Sequence, residues 1–193
     1  QLKPGLAVSW EPVDDTTWEF KLREGVTFHD GTPFTAEDVK FSIERIPAVT
    51  GPMSMTLYTK YVDSVEVVDD YTVQFNLASA ALAMPENFYN YPTAITHRGF
   101  GKDYEADLSA NPIGTGAFEL AEFAVSQKAV LRKARDWWAG PFYLDEIQYI
   151  DLGNDPNAQI GAIASDQVDM TYNTPVDQLD VVRRPGSRRE VSR

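Results

Sequence analysis

Residues 10 to 46 read WEPVDDTTWEFKLREGVTFHDGTPFTAEDVKFSIERI, and this stretch decides the fold because it sets a strand, a tight turn and a capped helix in one order. Trp18, Phe20 and Leu22 alternate with Glu19, Lys21 and Arg23, the period-two pattern of a strand buried on one face. Glu24 and Gly25 turn the chain into Val26 to Phe28, and Asp30-Gly31 ahead of Thr32 and Pro33 is an Asp-Gly turn whose carboxylate can bond nearby backbone amides. Thr35 then stands at an N-cap with Asp38 placed for a capping-box contact. Val39, Phe41, Ile43 and Ile46 supply the apolar side of the helix, and Pro47 is expected to end it.

Working outward, Val62, Val65, Val67 and Val68 run into Asp69-Asp70, and Tyr71, Val73, Phe75 and Leu77 follow in alternation, which predicts a hairpin. A short helix broken at Pro85 is expected over 80 to 91, and a second hairpin pairs 118 to 123 with 128 to 132 around Val125 and Ser126. A strand at 147 to 152, a helix at 156 to 165 with its proline in the first turn, and a last strand at 168 to 172 complete the pattern. Strands mixed with short helices, without an internal repeat, define an α+β or mixed α/β fold.

Composition narrows the function classes. A hydrophobic content of 43% supports a core, and no apolar run approaches the roughly 20 residues of a membrane helix, so no direct membrane insertion is expected. The absence of cysteine excludes a disulfide framework and thiol-ligated metal chemistry. Net charge is −12; residues 183 to 193 carry five arginines against Glu190, which leaves −16 on residues 1 to 182. Such a surface repels polyanions, and the basic tail, interrupted by Pro185-Gly186, reads as a solvated connection rather than a nucleic-acid arm.

Candidate chemistry is sparse. His29 and Asp30 are adjacent, so on an extended strand they face opposite ways, and His97 beside Arg98 and Gly99 reads as an exposed loop histidine. The acidic pairs Asp14-Asp15 and Asp69-Asp70 sit at turns; no Gly-x-Ser-x-Gly elbow or His-Glu-x-x-His helix occurs. These readings give no catalytic residue, no metal site and no cofactor. The Gly114-Thr115-Gly116 loop lacks the Lys-Ser of a phosphate cradle and leads into a strand, so it serves a sharp bend or a close approach of two chains. Trp10 and Trp18 belong to strand faces; of Trp137 and Trp138, one ring packs and the other partly caps the core. Phe88, Tyr89 and Tyr91 form the looser aromatic cluster, the best candidates for an exposed aromatic surface.

The ordered set Leu22, Arg23, Gly25, Val26, Phe28, His29, Asp30, Gly31, Pro33, Thr35, Ala36, Glu37, Asp38, Val39, Phe41 and Ser42 resembles the signature of the extracytoplasmic solute-binding proteins of oligopeptide, dipeptide and nickel ABC importers. The resemblance continues in NPIGTGAF at 111 to 118, with Ala117 where that family usually has Pro, and in RDWWAGPFYLDEI at 135 to 147, with Ala139 for a Gly. Over 158 to 170 it persists, although Asp166 and Gln167 stand where a Gly is usual.

The resemblance implies part of lobe one of a bilobal periplasmic-binding-protein-like fold. Residues 1–193 would be an internal fragment of that lobe, with a smaller subdomain at roughly 20–155, main-lobe segments on either side and the second lobe absent. No signal peptide is legible, and the implied location is periplasmic or extracytoplasmic. The implied function is binding of a peptide or peptide-like solute in a cleft, with ABC permease subunits as partners, no nucleic acid and no chemical step. Asn111, Gly114, Thr115, Gly116, Tyr89 and Tyr91 are the expected ligand-facing residues. Three other readings compete: a secreted hydrolase of peptide or glycan, which needs a convergent acid pair; a stand-alone interaction module; and a non-transport peptide sensor on the same fold.

Overall fold

The computed structural model describes residues 2–46, 61–89, 93–100, 112–134 and 137–171, with the side chains of Asn87 and Tyr89 outside that description. Pro47, Tyr91, Asn111 and the arginine-rich tail at 183 to 193 also lie outside the described residues. The chain divides into two units, Gln1–Ala121 with Leu131–Ile147, and Glu122–Val130 with Gln148–Arg193.

Four strands, β1 (Ala7–Pro12), β2 (Thr17–Leu22), β3 (Val62–Asp69) and β4 (Thr72–Leu77), form an antiparallel sheet in the order β1-β2-β4-β3. The register aligns the apolar alternation of every strand. Trp10, Phe20, Val73 and Val67 make one row across the sheet, and Trp18, Phe75 and Val65 make another. Because side-chain direction repeats every two residues, a one-residue slip would turn each row to solvent, so burial of this face fixes the pairing. Val68, read with the hairpin's apolar set, is 54% exposed: it is the extra residue at the register shift between Val67 and Asp69, where the ladder is locally interrupted.

The face is covered by helix α1 (Ala36–Glu44), whose Val39 and Ile43 join the core with Phe28, Phe34 and Ile46. Phe20, Phe75 and Phe88 meet edge to face, with centroids 5.0 to 5.5 Å apart. Phe88 is therefore a core contact, which corrects its reading as part of an exposed aromatic surface. Pro85 does not break the expected helix either. A 3-10 helix runs Met84–Tyr89 with Pro85 in its first turn, where a missing N–H costs nothing.

Two polar residues are fully buried on α1 where the apolar pattern predicted only hydrophobic groups, while Phe41 is only half-buried. Asp38 accepts the Thr35 N–H at 2.9 Å and the Arg98 N–H at 3.0 Å, and its carboxylate pairs with the Arg98 guanidinium at 3.3 Å. Ser42 donates to the Asp38 carbonyl at 2.6 Å and accepts the Thr96 N–H at 2.8 Å. A buried charge is tolerated only when its lone pairs are satisfied, and these bonds tie residues 96 to 98 to the helix. Thr35 is the N-cap residue as read, but its hydroxyl meets the Asp38 carboxylate and accepts from Arg98 Nη1 at 2.9 Å.

A second sheet contains β5 (Phe118–Ala124), β6 (Lys128–Lys133) and β7 (Glu146–Ile150) in that order. Ser126 takes a φ of 56° at the expected β5-β6 turn. Helix α2 (Pro156–Ala164) starts at Asp155, whose side chain accepts the Asn157 N–H at 2.9 Å. The strand expected at 168 to 172 is absent from its described residues, 168–171. There the chain folds back on the helix end instead: Asp166 adopts a φ of 57°, and the N–H groups of Gln167 and Val168 both reach the Ala162 carbonyl. This left-handed cap is the conformation a glycine would adopt without strain, and Asp is among the few other residues that enter it readily. The mixed α/β expectation holds.

Candidate functional site

The polar groups that converge in the first unit gather around the turn at residues 26 to 34. Phe28 N–H donates to the Thr32 carbonyl at 2.8 Å and Phe34 N–H to the Val26 carbonyl at 3.0 Å, closing a narrow loop with Gly31 at a φ of 91°. Asp30 behaves as a turn residue, its carboxylate accepting the Thr32 N–H at 2.9 Å and hydroxyl at 2.6 Å. Asp30 thus bonds within its own turn, and His29 reaches a different segment of the chain.

That segment is the Gly114-Thr115-Gly116 loop. His29 N–H donates to the Gly114 carbonyl at 2.9 Å, Gly114 N–H donates to His29 Nδ1 at 3.2 Å, and His29 Nε2 meets the Gly116 carbonyl at 2.9 Å. A backbone amide can only donate and a carbonyl can only accept, so Nδ1 is bare and Nε2 carries the proton. Trp138 Nε1 donates to the remaining carbonyl, that of Thr115, at 2.9 Å. The Arg23 guanidinium lies 4.9 Å from the centre of the Trp138 ring, a cation-π contact that holds the indole in place. All three loop carbonyls are thus bonded from within the protein.

No described residue bonds the Thr115 or Gly116 amides, or the Thr115 hydroxyl. Thr115 is half-buried and Gly116 is exposed. A loop with its acceptors engaged and two amides and a hydroxyl uncommitted presents mainly donors, and so suits a carbonyl or carboxylate oxygen. The sequence reading of a close approach between chains is met here, since a Cβ on Gly114 would sit 3.6 Å from His29 Cε1.

The structure brings Gly114, Thr115 and Gly116 together with His29 and Trp138, neither of which was a site residue in the sequence reading. Asn111 and Tyr91, and the side chain of Tyr89, lie outside the described residues. His97, expected to be exposed, is buried. Its Nδ1 accepts the Gly99 N–H at 2.9 Å and its ring stands edge-on to Phe28 at 5.0 Å, which supports the turn carrying His29 from behind. The tryptophan pair is not divided as expected: both rings are half-buried, Trp138 packing against the core and under Arg23, with Trp137 5.4 Å from it.

The first unit also holds a pocket of about 400 Å³, open to solvent on one side and lined by Leu6, Trp10, Phe20, Phe75 and Phe88 among others, with Lys3 and Thr93 its polar side chains. Among the described residues no group of three or more His, Asp or Glu side chains could hold a metal ion, and no helix is long and apolar enough to cross a membrane.

Comparison with known proteins places the chain in a family. The chain belongs to the bacterial extracellular solute-binding proteins, family 5 Middle, whose model matches residues 1–190. It is similar to the probable ABC transporter periplasmic-binding protein SapA of Escherichia coli K12, at 25% identity over 95% of this chain and 38% of that protein. Among solved structures it resembles the periplasmic binding protein AgaA from A. tumefacien R10 in complex with agropinic acid, with a TM-score of 0.83 and 28% identity over 96% of this chain and 38% of that one. The oligopeptide-binding protein AppA of Bacillus subtilis, in complex with a nonapeptide, superposes with a TM-score of 0.79 at 29% identity over 94% of this chain and 37% of AppA. The chain therefore spans under two fifths of the length of each of these proteins.

Proposed function

We propose that this chain is part of lobe one of a bilobal solute receptor that binds oligopeptides or dipeptides outside the cytoplasm and passes them to the permease subunits of an ABC importer. The observation that carries the reading is the family match over residues 1–190. Peptide is favoured over other solutes because SapA and OppA relatives from Salmonella typhimurium are named for peptide transport and oligopeptide binding, and AppA holds a nonapeptide. The role is binding without a chemical step: a solute draws two lobes together, and the closed form is what the permease accepts.

Within this reading the Gly114-Thr115-Gly116 loop faces the solute. Its uncommitted amides and the Thr115 hydroxyl are suited to the carbonyl or terminal carboxylate oxygens of a peptide. Asn111, Tyr89 and Tyr91 are carried with the loop as sequence-based members of the same site. The test is calorimetric titration of the intact receptor with a di- to pentapeptide library, in wild type and Thr115→Val. A lost hydrogen bond should weaken binding about 5- to 10-fold at unchanged melting temperature. Peptide turnover by the protein, or affinity indifferent to Thr115→Val, would count against the reading.

A further inference from the structure

We infer that His29 is a positioning residue for the Gly114-Thr115-Gly116 loop, and that it holds the loop only as the neutral Nε2–H tautomer, so that acidification releases it. The consequence for solute binding rests on the function proposed above; the latch itself does not.

The argument is one of donors and acceptors. The imidazole spans the loop by accepting from Gly114 through Nδ1 and donating to Gly116 through Nε2. The opposite neutral tautomer would set an N–H against the Gly114 N–H and a lone pair against the Gly116 carbonyl, so both contacts would be lost. The imidazolium keeps the Gly116 bond but turns Nδ1 into a donor 3.2 Å from a donor. Protonation therefore favours the released loop, and by linkage the latched fraction falls as pH falls. Imidazole is the side chain that changes charge between about pH 5 and 8, the range a protein outside the cytoplasm meets.

Other charged groups on the elements around His29 are few among the described residues. Asp30, next to it in the chain, accepts from Thr32, Arg23 lies on Trp138, Arg98 pairs with Asp38, and His97 stands against Phe28. Loop residues 112–117 carry no titratable side chain, and neither do residues 137–140. His97 is the other histidine of the chain and stands against the same turn, so the test must separate the two.

The asparagine variant does this. In His29→Asn the amide oxygen stands where Nδ1 stood and can still accept from Gly114, but it takes up no proton in this range and does not reach Gly116. On solute-free protein, nitrogen-15 spectra at pH 8 should show His29 protonated at Nε2 and bare at Nδ1. Lowering the pH to 5 should speed hydrogen exchange of the Gly114 amide, after correction for intrinsic rates, by roughly 5- to 10-fold, as expected for one lost hydrogen bond. His29→Asn should abolish that pH dependence while leaving any His97 response in place. A proton on Nδ1 at pH 8, a Gly114 amide indifferent to pH, or an undiminished pH dependence in His29→Asn would overturn the latch. Calorimetry of the intact receptor with a tripeptide over the same range is the separate arm. If the loop amides respond and affinity does not, the latch stands and the loop is removed from the solute site.

Discussion

The two sheets were read from the same kind of sequence pattern and ended with different surroundings. In β2 and β4 the alternating residues Trp18, Phe20, Leu22, Val73, Phe75 and Leu77 are all buried. In β5 to β7 only Val130 is, while Phe123, Tyr149 and Ile150 are exposed among the described residues. Alternation states that a strand has two unlike faces. It does not state what covers the apolar one; that depends on elements elsewhere in the chain, here α1 and the 3-10 helix for the first sheet.

The sharpest way to test the contrast is to truncate one aromatic in each sheet. Phe75→Ala removes a 2% exposed ring that meets Phe20 and Phe88, and should cost about 3–5 kcal/mol in urea unfolding. Phe123→Ala, at a ring 51% exposed, should stay within about 0.5 kcal/mol. A Phe123 cost equal to that of Phe75 would mean the second sheet is covered in solution as well as the first.

A smaller effect is expected at the polar anchor of the first region. Asp38→Ala strands the Thr35 and Arg98 amides and frees the Arg98 guanidinium, and should cost about 2–3 kcal/mol. Hydrogen exchange should then quicken at residues 96 to 98 and stay unchanged in α2. Uniform acceleration over both regions would show that the anchor is global rather than local.

The smallest effect concerns acid. Glu19 is held below its ordinary value by its bond from Lys21 and then by Gln74, and Asp69 by the Tyr71 amide and then Thr72. A carboxylate whose folded value is depressed contributes stability above its unfolded value and loses it as pH falls through the folded one. The first sheet should therefore weaken slightly below about pH 4, and Glu19→Gln with Asp69→Asn should flatten that part of the melting-temperature profile. A profile unchanged by the double substitution would remove these exposed groups from the account.

Local chemistry made much of this fold legible. The strand at Trp18 to Leu22, the turn at Asp30-Gly31, the cap at Thr35 and the Pro156 helix start each depend on neighbours within a few residues, and each is where the pattern put it. What escaped depends on distant partners. Nothing near Phe88 announces that Phe20 and Phe75 will surround it, and nothing near His97 announces Phe28. The site shows the same division. The glycines at 114 and 116 were legible as a place of close approach, but the group that approaches is His29, 85 residues away, whose own neighbours describe only a turn. At Asp166 and Gln167 the resemblance showed a departure from a usual glycine, and Asp166 is the one of the two that takes the left-handed cap, where the sequence pattern had a strand following.

The β1-β2-β4-β3 order also has a kinetic meaning. β1 with β2, and β3 with β4, are each neighbours along the chain and can zip up as independent hairpins on a microsecond scale. The seam that makes them one sheet joins β2 to β4, with Glu19 opposite Gln74 across 55 residues that include α1. Closing a loop of that length is the entropic toll of assembly, so the seam rather than either hairpin sets the pace. Until it shuts, each hairpin carries a bare edge and half of an aromatic row, the state in which a chain of this design is most exposed to pairing with a neighbour.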